Sequence, residues 1–218
     1  MTLEGTNTWV LQDASGNTVI DPGPLDETHL QRVAGLGPVA RILLTHRHPD
    51  HADGAQRFGE ITGAPVLDRD EFAEDGCAVG SLRVLHTPGH SSDSVCFVFD
   101  GAEPGVLTGD TILGRGTAVI AYPDGNLASY LESLERLRGL GDIAALPGHG
   151  PALRSVAAAA AAYLQHRLRR LDQVRAALAF GDRTAEQVVA RVYADVDPVL
   201  WPTAELSVRA QLAYLDQD

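Results

Sequence analysis

Short apolar runs closed off by glycine, proline or aspartate fill the first two thirds of the chain. Segments 8–11, 18–20, 41–44, 82–85, 95–99 and 105–107 are rich in β-branched and aromatic residues and too short for helices, so they predict strands. Between them lie stretches with apolar positions three and four apart, at 26–33, 52–58 and 127–137. The last of these carries Leu131, Leu134 and Leu137 on one side. Strands and helices mixed in this way predict an α/β architecture, with sheet inside and helices on the outer faces.

From Val156 the pattern turns wholly helical. Leu164, Leu168, Leu171 and Leu178 recur at helical spacing, opposite Arg167, Arg169, Arg170 and Arg175, which predicts an apolar stripe backed by a solvated basic face. Gly181 stops that helix. Thr184 is placed to cap a helix over 185–193, and 206–215 forms another amphipathic segment. The expected division is a catalytic domain at 1–153 and a small helical subdomain at 154–218.

Composition narrows the class. The 218 residues are 44 % hydrophobic and 21 % charged, as in a globular protein with one sizeable core. No apolar run reaches the length of a membrane span, and the first residues lack the basic and apolar regions of a secretory leader. A cytoplasmic location is the expectation, with no membrane partner. Cys77 and Cys96 are too few for a disulfide framework, and Cys96 sits in an apolar strand as a core residue. The net charge of −12 falls on residues 1–150, where 9 Arg face 21 Asp and Glu; residues 151–218 carry 8 of each sign. An acidic body disfavours non-specific contact with nucleic acid and anionic membranes.

The chemistry concentrates in histidine. Of 8 in the chain, five lie in turns immediately after strand-like runs. His46, His48, Asp50 and His51 follow the third run; His90 ends Thr87-Pro88-Gly89-His90; His149 ends Pro147-Gly148-His149. Asp110 stands in an equivalent turn, Thr108-Gly109-Asp110. Turns at strand ends are where an α/β scaffold presents functional groups. Packing gives no reason to place three imidazoles and a carboxylate in one loop, whereas a metal site does. His46 and His48, two apart on extended chain, point to the same side and can share one ion; Asp50 and His51, past the bend, can face a second. Two ions would activate a water and polarise the bond it attacks. His29, His86 and His166, lone histidines, are expected to be core or surface residues.

His46-Arg47-His48-Pro49-Asp50-His51 resembles the signature of the metallo-β-lactamase superfamily. Asp21-Pro22-Gly23, His90, Asp110 and His149 resemble its other motifs in the same order. The resemblance covers nearly all of 5–151 and implies a four-layered αββα sandwich with metals at one edge. It implies that His46, His48 and His90 hold one ion, that Asp50, His51 and His149 hold another, and that Asp110 bridges them. Asp50 and Asp110 would then be the catalytic carboxylates. Zinc is the expected metal, with manganese or iron compatible with the same donors.

Within the superfamily, true lactamases carry cysteine where Asp110 stands, which argues against β-lactam hydrolysis. Gly5-Thr6-Asn7-Thr8-Trp9-Val10-Leu11 and the helix around His166 resemble the lactamase-β-like protein 2 group, whose C-terminal part is winged-helix-like; glyoxalase-II-like thioesterases are the neighbouring group. Members usually have a further strand upstream, so Met1 is a possible internal start. The resemblance implies hydrolysis of an ester or thioester, on a small or carrier-bound acyl substrate. The alternative is endoribonuclease action on single-stranded RNA, which the acidic catalytic part disfavours; a single-iron persulfide dioxygenase or a non-catalytic metal-binding protein fits less well. Arg115 and Tyr122, in the loop after Asp110, are candidate substrate contacts. Oligomeric state is not legible.

Overall fold

A computed structural model describes residues 5–72 and 74–216. Its elements run β1 (Trp9–Asp13), β2 (Gly16–Ile20), α1 (Glu27–Ala34), β3 (Val39–Leu43), α2 (Pro49–Ala52), α3 (Ala55–Thr62), β4 (Val66–Leu67), β5 (Ala78–Val79), β6 (Leu82–His86), β7 (Val95–Phe99), β8 (Gly105–Gly109), α4 (Leu127–Arg138), β9 (Ala144–Pro147), α5 (Val156–Phe180), α6 (Ala185–Val192) and α7 (Trp201–Leu215).

The strands form two sheets, ordered β1-β2-β3-β4 and β5-β6-β7-β8-β9. Side-chain alternation along the strands builds the layers. In the first sheet Val19 and Ile42 face α1 and α3, beside Leu30, Val33 and Phe58. Their neighbours Ile20 and Leu43 face the other way and meet Val84, Phe97 and Leu107 of the second sheet. In that sheet Leu85, Cys96, Val98 and Val106 point outward onto α4 and α5. Three apolar seams therefore hold four layers, αββα. Phe97, fully buried in the central seam, packs edge-on against Phe72 with ring centroids 5.6 Å apart. Burying a side chain of that size contributes about 1.5–3 kcal/mol.

Local signals set the helix boundaries. Asp26 caps α1 by accepting from the amides of Thr28 and His29, Asn126 caps α4, and Ser155 caps α5. Thr184 and Gln187 form a reciprocal capping box on α6, and Gly181 at φ 122° ends α5 as its position predicts.

Two expectations need correction. The helix read over 52–58 is two pieces, α2 and α3, broken at Gly54, whose amide donates to Gly23 O. A Cβ at Gly54 would lie 2.8 Å from Pro24 O, so the chain crossing there requires glycine. The arginine face of α5 is also not uniformly solvated. Arg167 is 3 % exposed while Leu168 is 51 % exposed, because α5 is covered on its Arg167 side by residues 117–120 and α7. The first half of α5 belongs to the cluster with α4. Its last turns, through Val174 and Ala177, join the separate cluster made by α6 and α7.

Candidate metal centre

The turns that follow the strands bring all seven predicted residues into one cluster. His46 Nε2 and His90 Nε2 each lie 3.0 Å from His48 Nδ1. His51 Nε2 is 3.2 Å from His149 Nε2, and Asp50 Oδ2 is 3.3 Å from His149 Nε2. Between these groups stands Asp110. Its Oδ1 is 3.4 Å from both His51 Nε2 and His149 Nε2, and its Oδ2 is 3.8 Å from His90 Nε2. Three sets can each converge on one ion: His46, His48 and His90; Asp50, His51 and His149; and His46, His51 and Asp110.

The backbone prepares this convergence. His48 is the N-cap of α2 in extended conformation and Pro49 starts the helix, so Asp50 and His51 turn onto a new direction one turn later. Gly148 packs against the cluster: a Cβ there would lie 2.6 Å from His51 Cε1 and 2.8 Å from Asp110 Oδ1.

Four imidazoles are tied from behind through Nδ1. His90 Nδ1 lies 2.6 Å from Val119 O, His149 Nδ1 2.9 Å from Gly5 O, and His51 Nδ1 2.8 Å from Asp21 Oδ2. His46 Nδ1 is 3.0 Å from Thr45 Oγ1, which itself donates to Asp21 Oδ2 at 2.7 Å. With Nδ1–H donating outward, each ring aims the lone pair of Nε2 inward. Asp21 is the hub, since it also accepts the Thr45 amide at 2.8 Å. It is 1 % exposed and holds φ at 51°, a left-handed conformation rare outside glycine, asparagine and aspartate. The sequence flagged Asp21 only as part of a motif; a polar residue between an apolar strand and Pro22-Gly23 was the available signal.

The electrostatics suit a cation. Burial raises the Asp110 carboxyl, but His149 and His51 beside it hold it well below the usual carboxylate range. His51 and His149 are pushed up to about 10: burial opposes their charge, and Asp21 and Asp110 beside the first, Asp110 and Asp50 beside the second, outweigh it. His46 and His90 are lowered, chiefly by burial. Asp110 Oδ1 is buried without a hydrogen-bond partner. An orphaned carboxylate oxygen among inward imidazole nitrogens is a donor set for a metal. Donors at about 2.0–2.1 Å from a shared tetrahedral ion lie roughly 3.3 Å apart, close to the observed spacings.

The remaining predicted residues fall elsewhere. Arg115 is exposed, and its backbone abuts the His149–Gly150 turn, where the Gly114 amide donates to His149 O. Tyr122 is 36 % exposed and lines a separate hollow with Asn126, Ala213 and Tyr214. His29 pairs with Thr8 Oγ1 at 2.8 Å, and neither His86 nor His166 joins the cluster.

The sequence profile of the metallo-beta-lactamase superfamily matches residues 1–71 and 63–149, and the chain belongs to that superfamily, as a hydrolase of the metallo-beta-lactamase fold. The profile of the beta-lactamase associated winged helix domain matches 184–218. More particularly, the chain is 32 % identical to the Beta-lactamase-like protein 2 homolog of Drosophila melanogaster, over all of this chain and 84 % of that protein. It is also 32 % identical to an Atrochrysone carboxyl ACP thioesterase of Aspergillus fumigatus, over 82 % of this chain and 61 % of that one. It thus spans under two thirds of the fungal thioesterase. Among solved structures, a beta-lactamase domain protein from Burkholderia ambifaria superposes with a TM-score of 0.82 at 26 % identity, covering 100 % of this chain and 84 % of that one. Among the described residues, no helix is long and apolar enough to cross a membrane.

Proposed function

We propose that the chain is a dinuclear-metal hydrolase of acyl esters or thioesters, on small or carrier-bound substrates. The observation that carries this reading is the placement of Asp110, with one carboxylate oxygen toward His51 and His149 and the other toward His90. His46, His48 and His90 are assigned to one ion, Asp50, His51 and His149 to the other, and Asp110 to both. Zinc fits the nitrogen-rich donor set, with manganese or iron compatible. Such ions supply Lewis acidity and bring a water's pKa toward neutrality. The chain's own residues do the rest. The Nδ1 tethers fix the rings, Asp110 sets the separation of the two triads, and Asp50, less buried than Asp110, lies on the open side where a proton can be held during attack on the carbonyl.

The choice of an acyl substrate rests on the thioesterase relative and on the acidic catalytic part, which offers no basic track for RNA. The division at 153/154 and a cytoplasmic location belong to the same proposal, with α5 as the junction between the two apolar clusters.

The test is a panel of acyl thioesters, aryl esters, lactones and labelled single-stranded RNA, offered to metal-quantified protein. Thioester or ester hydrolysis that disappears in Asp110→Ala is the expected result. Cleavage of RNA alone, abolished by His48→Ala, overturns the acyl reading.

A further inference from the structure

Behind His90 lies a cavity of about 260 Å³ between residues 117–119, α5 and α7. Its wall is apolar at Ala118, Val119, Leu200 and Ala204, with Arg167, Arg170, Thr203 and Ser207 as the principal polar lining. Among the described residues no acidic side chain lines it, in a chain of net charge −12.

The two guanidiniums are unusual. Arg167 is 3 % exposed, and among the described residues no carboxylate lies within ion-pair distance of it. It donates through one Nη to Ala118 O and lies 5.2 Å from the Tyr130 ring, and its Nε is buried with no partner. Arg170 donates to Gln173 Oε1 and Val192 O and stacks 4.4 Å over Tyr193, and among the described residues no carboxylate lies within ion-pair distance of it either. Buried charges are ordinarily paired, and an arginine left with an idle donor signals an absent acceptor. Hydroxyl donors are also at hand: Ser207 Oγ accepts from Ile120 N, which leaves its own proton free. His166, also in the lining, is held down to about 4 by burial and the adjacent arginines, so it brings no charge of its own.

We propose that this cavity binds a small organic carboxylate, its anionic group on Arg167 and Arg170 and its short apolar body against Leu200, Ala204 and Val119. Guanidinium matches carboxylate in geometry and charge, and the modest volume restricts the occupant to a small molecule. The cavity shares one wall with the metal centre, because Val119 O is the acceptor facing His90 Nδ1. The site is separate from the proposed hydrolysis, and a chain inert toward every thioester would still have to bind such a ligand.

Hexanoate titrated into the intact protein tests it, with calorimetry for affinity and amide chemical-shift mapping for location. Saturable binding is expected, with shifts at residues 118–120 and 203–207, while hexanol leaves those resonances unmoved. Arg170→Gln and Arg167→Leu should each weaken hexanoate at least tenfold; if the second variant misfolds, the part-exposed Arg170 decides. The proposal is overturned if hexanoate does not saturate, if shifts are confined to the surroundings of residues 46–51 and 110, or if hexanol or Arg170→Gln protein binds equally well.

Discussion

Replacing Asp21 by Asn changes one atom at the hub behind the cluster, and the structure dictates the outcome. The backbone amide of Thr45 donates to Asp21 Oδ1, so the asparagine oxygen must occupy that position. The NH2 group then takes the place of Oδ2, facing Thr45 Oγ1 and His51 Nδ1. Thr45 can rotate its hydroxyl and accept. His51 Nδ1 must also become an acceptor, which moves the ring proton to Nε2, the atom facing His149 and Asp110. A protonated Nε2 cannot ligate. Loss of such a supporting partner typically costs 10–100-fold in metal affinity, or about 1.4–2.7 kcal/mol. Asparagine tolerates the left-handed φ of 51°, so the backbone needs no adjustment. Metal titration with a competing chelator, with circular dichroism as a check on folding, should show one ion weakened by that factor and the fold intact. Two ions bound with wild-type affinity would refute both the tautomer argument and the assignment of His51 as a ligand.

Other outcomes follow from the same geometry. Gly148→Ala should displace His51 or Asp110 and lower turnover on the order of 100-fold, measured as kcat on the best ester of the panel, with little change in fold. Metal removal leaves His51 and His149 protonated below about 10, so reloading should release protons and tighten as pH rises, read as buffer-dependent heat. By the same shifts, the stability those two protons lend the stripped protein is complete below the ordinary histidine pKa of 6.5 and vanishes as pH climbs through about 10, visible in chelator-treated melts. Tyr163→Phe removes the acceptor of Leu113 N in the α4–α5 seam and should cost about 1–3 kcal/mol by urea unfolding. Arg47→Ala loses only exposed pairs with Asp68 and Asp70 and should change stability by under about 1 kcal/mol.

The sequence made the strand cores, the long helix and the clustered ligands visible because each has a local cause. Val95–Phe99 is an unbroken apolar run, Gly181 stops α5, and His46 to His51 crowd one turn. What escaped has its cause at long range. β4 and β5 are two residues each and exist only through their partners Ile42, Leu43, Leu82 and Arg83. The break at Gly54 is set by Gly23, thirty-odd positions away along the chain. Arg167 looked solvated because helical spacing grouped it with Arg169, Arg170 and Arg175 and cannot show that residues 117–120 and α7 cover its side of α5. Asp21 showed only as part of a motif because its three donors come from Thr45 and His51, 24 and 30 positions further along the chain.

Residues near the start of the chain grip the His149 turn. Asn7 Nδ2 donates to Pro147 O and Gly150 O, Trp9 Nε1 donates to Pro147 O, and Thr6 forms a β-bridge with His149. The first strand and the ninth are therefore fastened across some 140 positions of sequence, at the rim of the metal cluster. Contacts between residues so far apart in sequence cost more chain entropy to form than local ones. His90 lies 42 positions from His48 in the sequence, whereas His149 reaches the cluster only where the two ends of the domain meet. The His149 side of the cluster is therefore the side whose geometry depends on residues 5–9 being seated, so a disturbance at the start of the chain reaches the partner of Asp50 and His51 first.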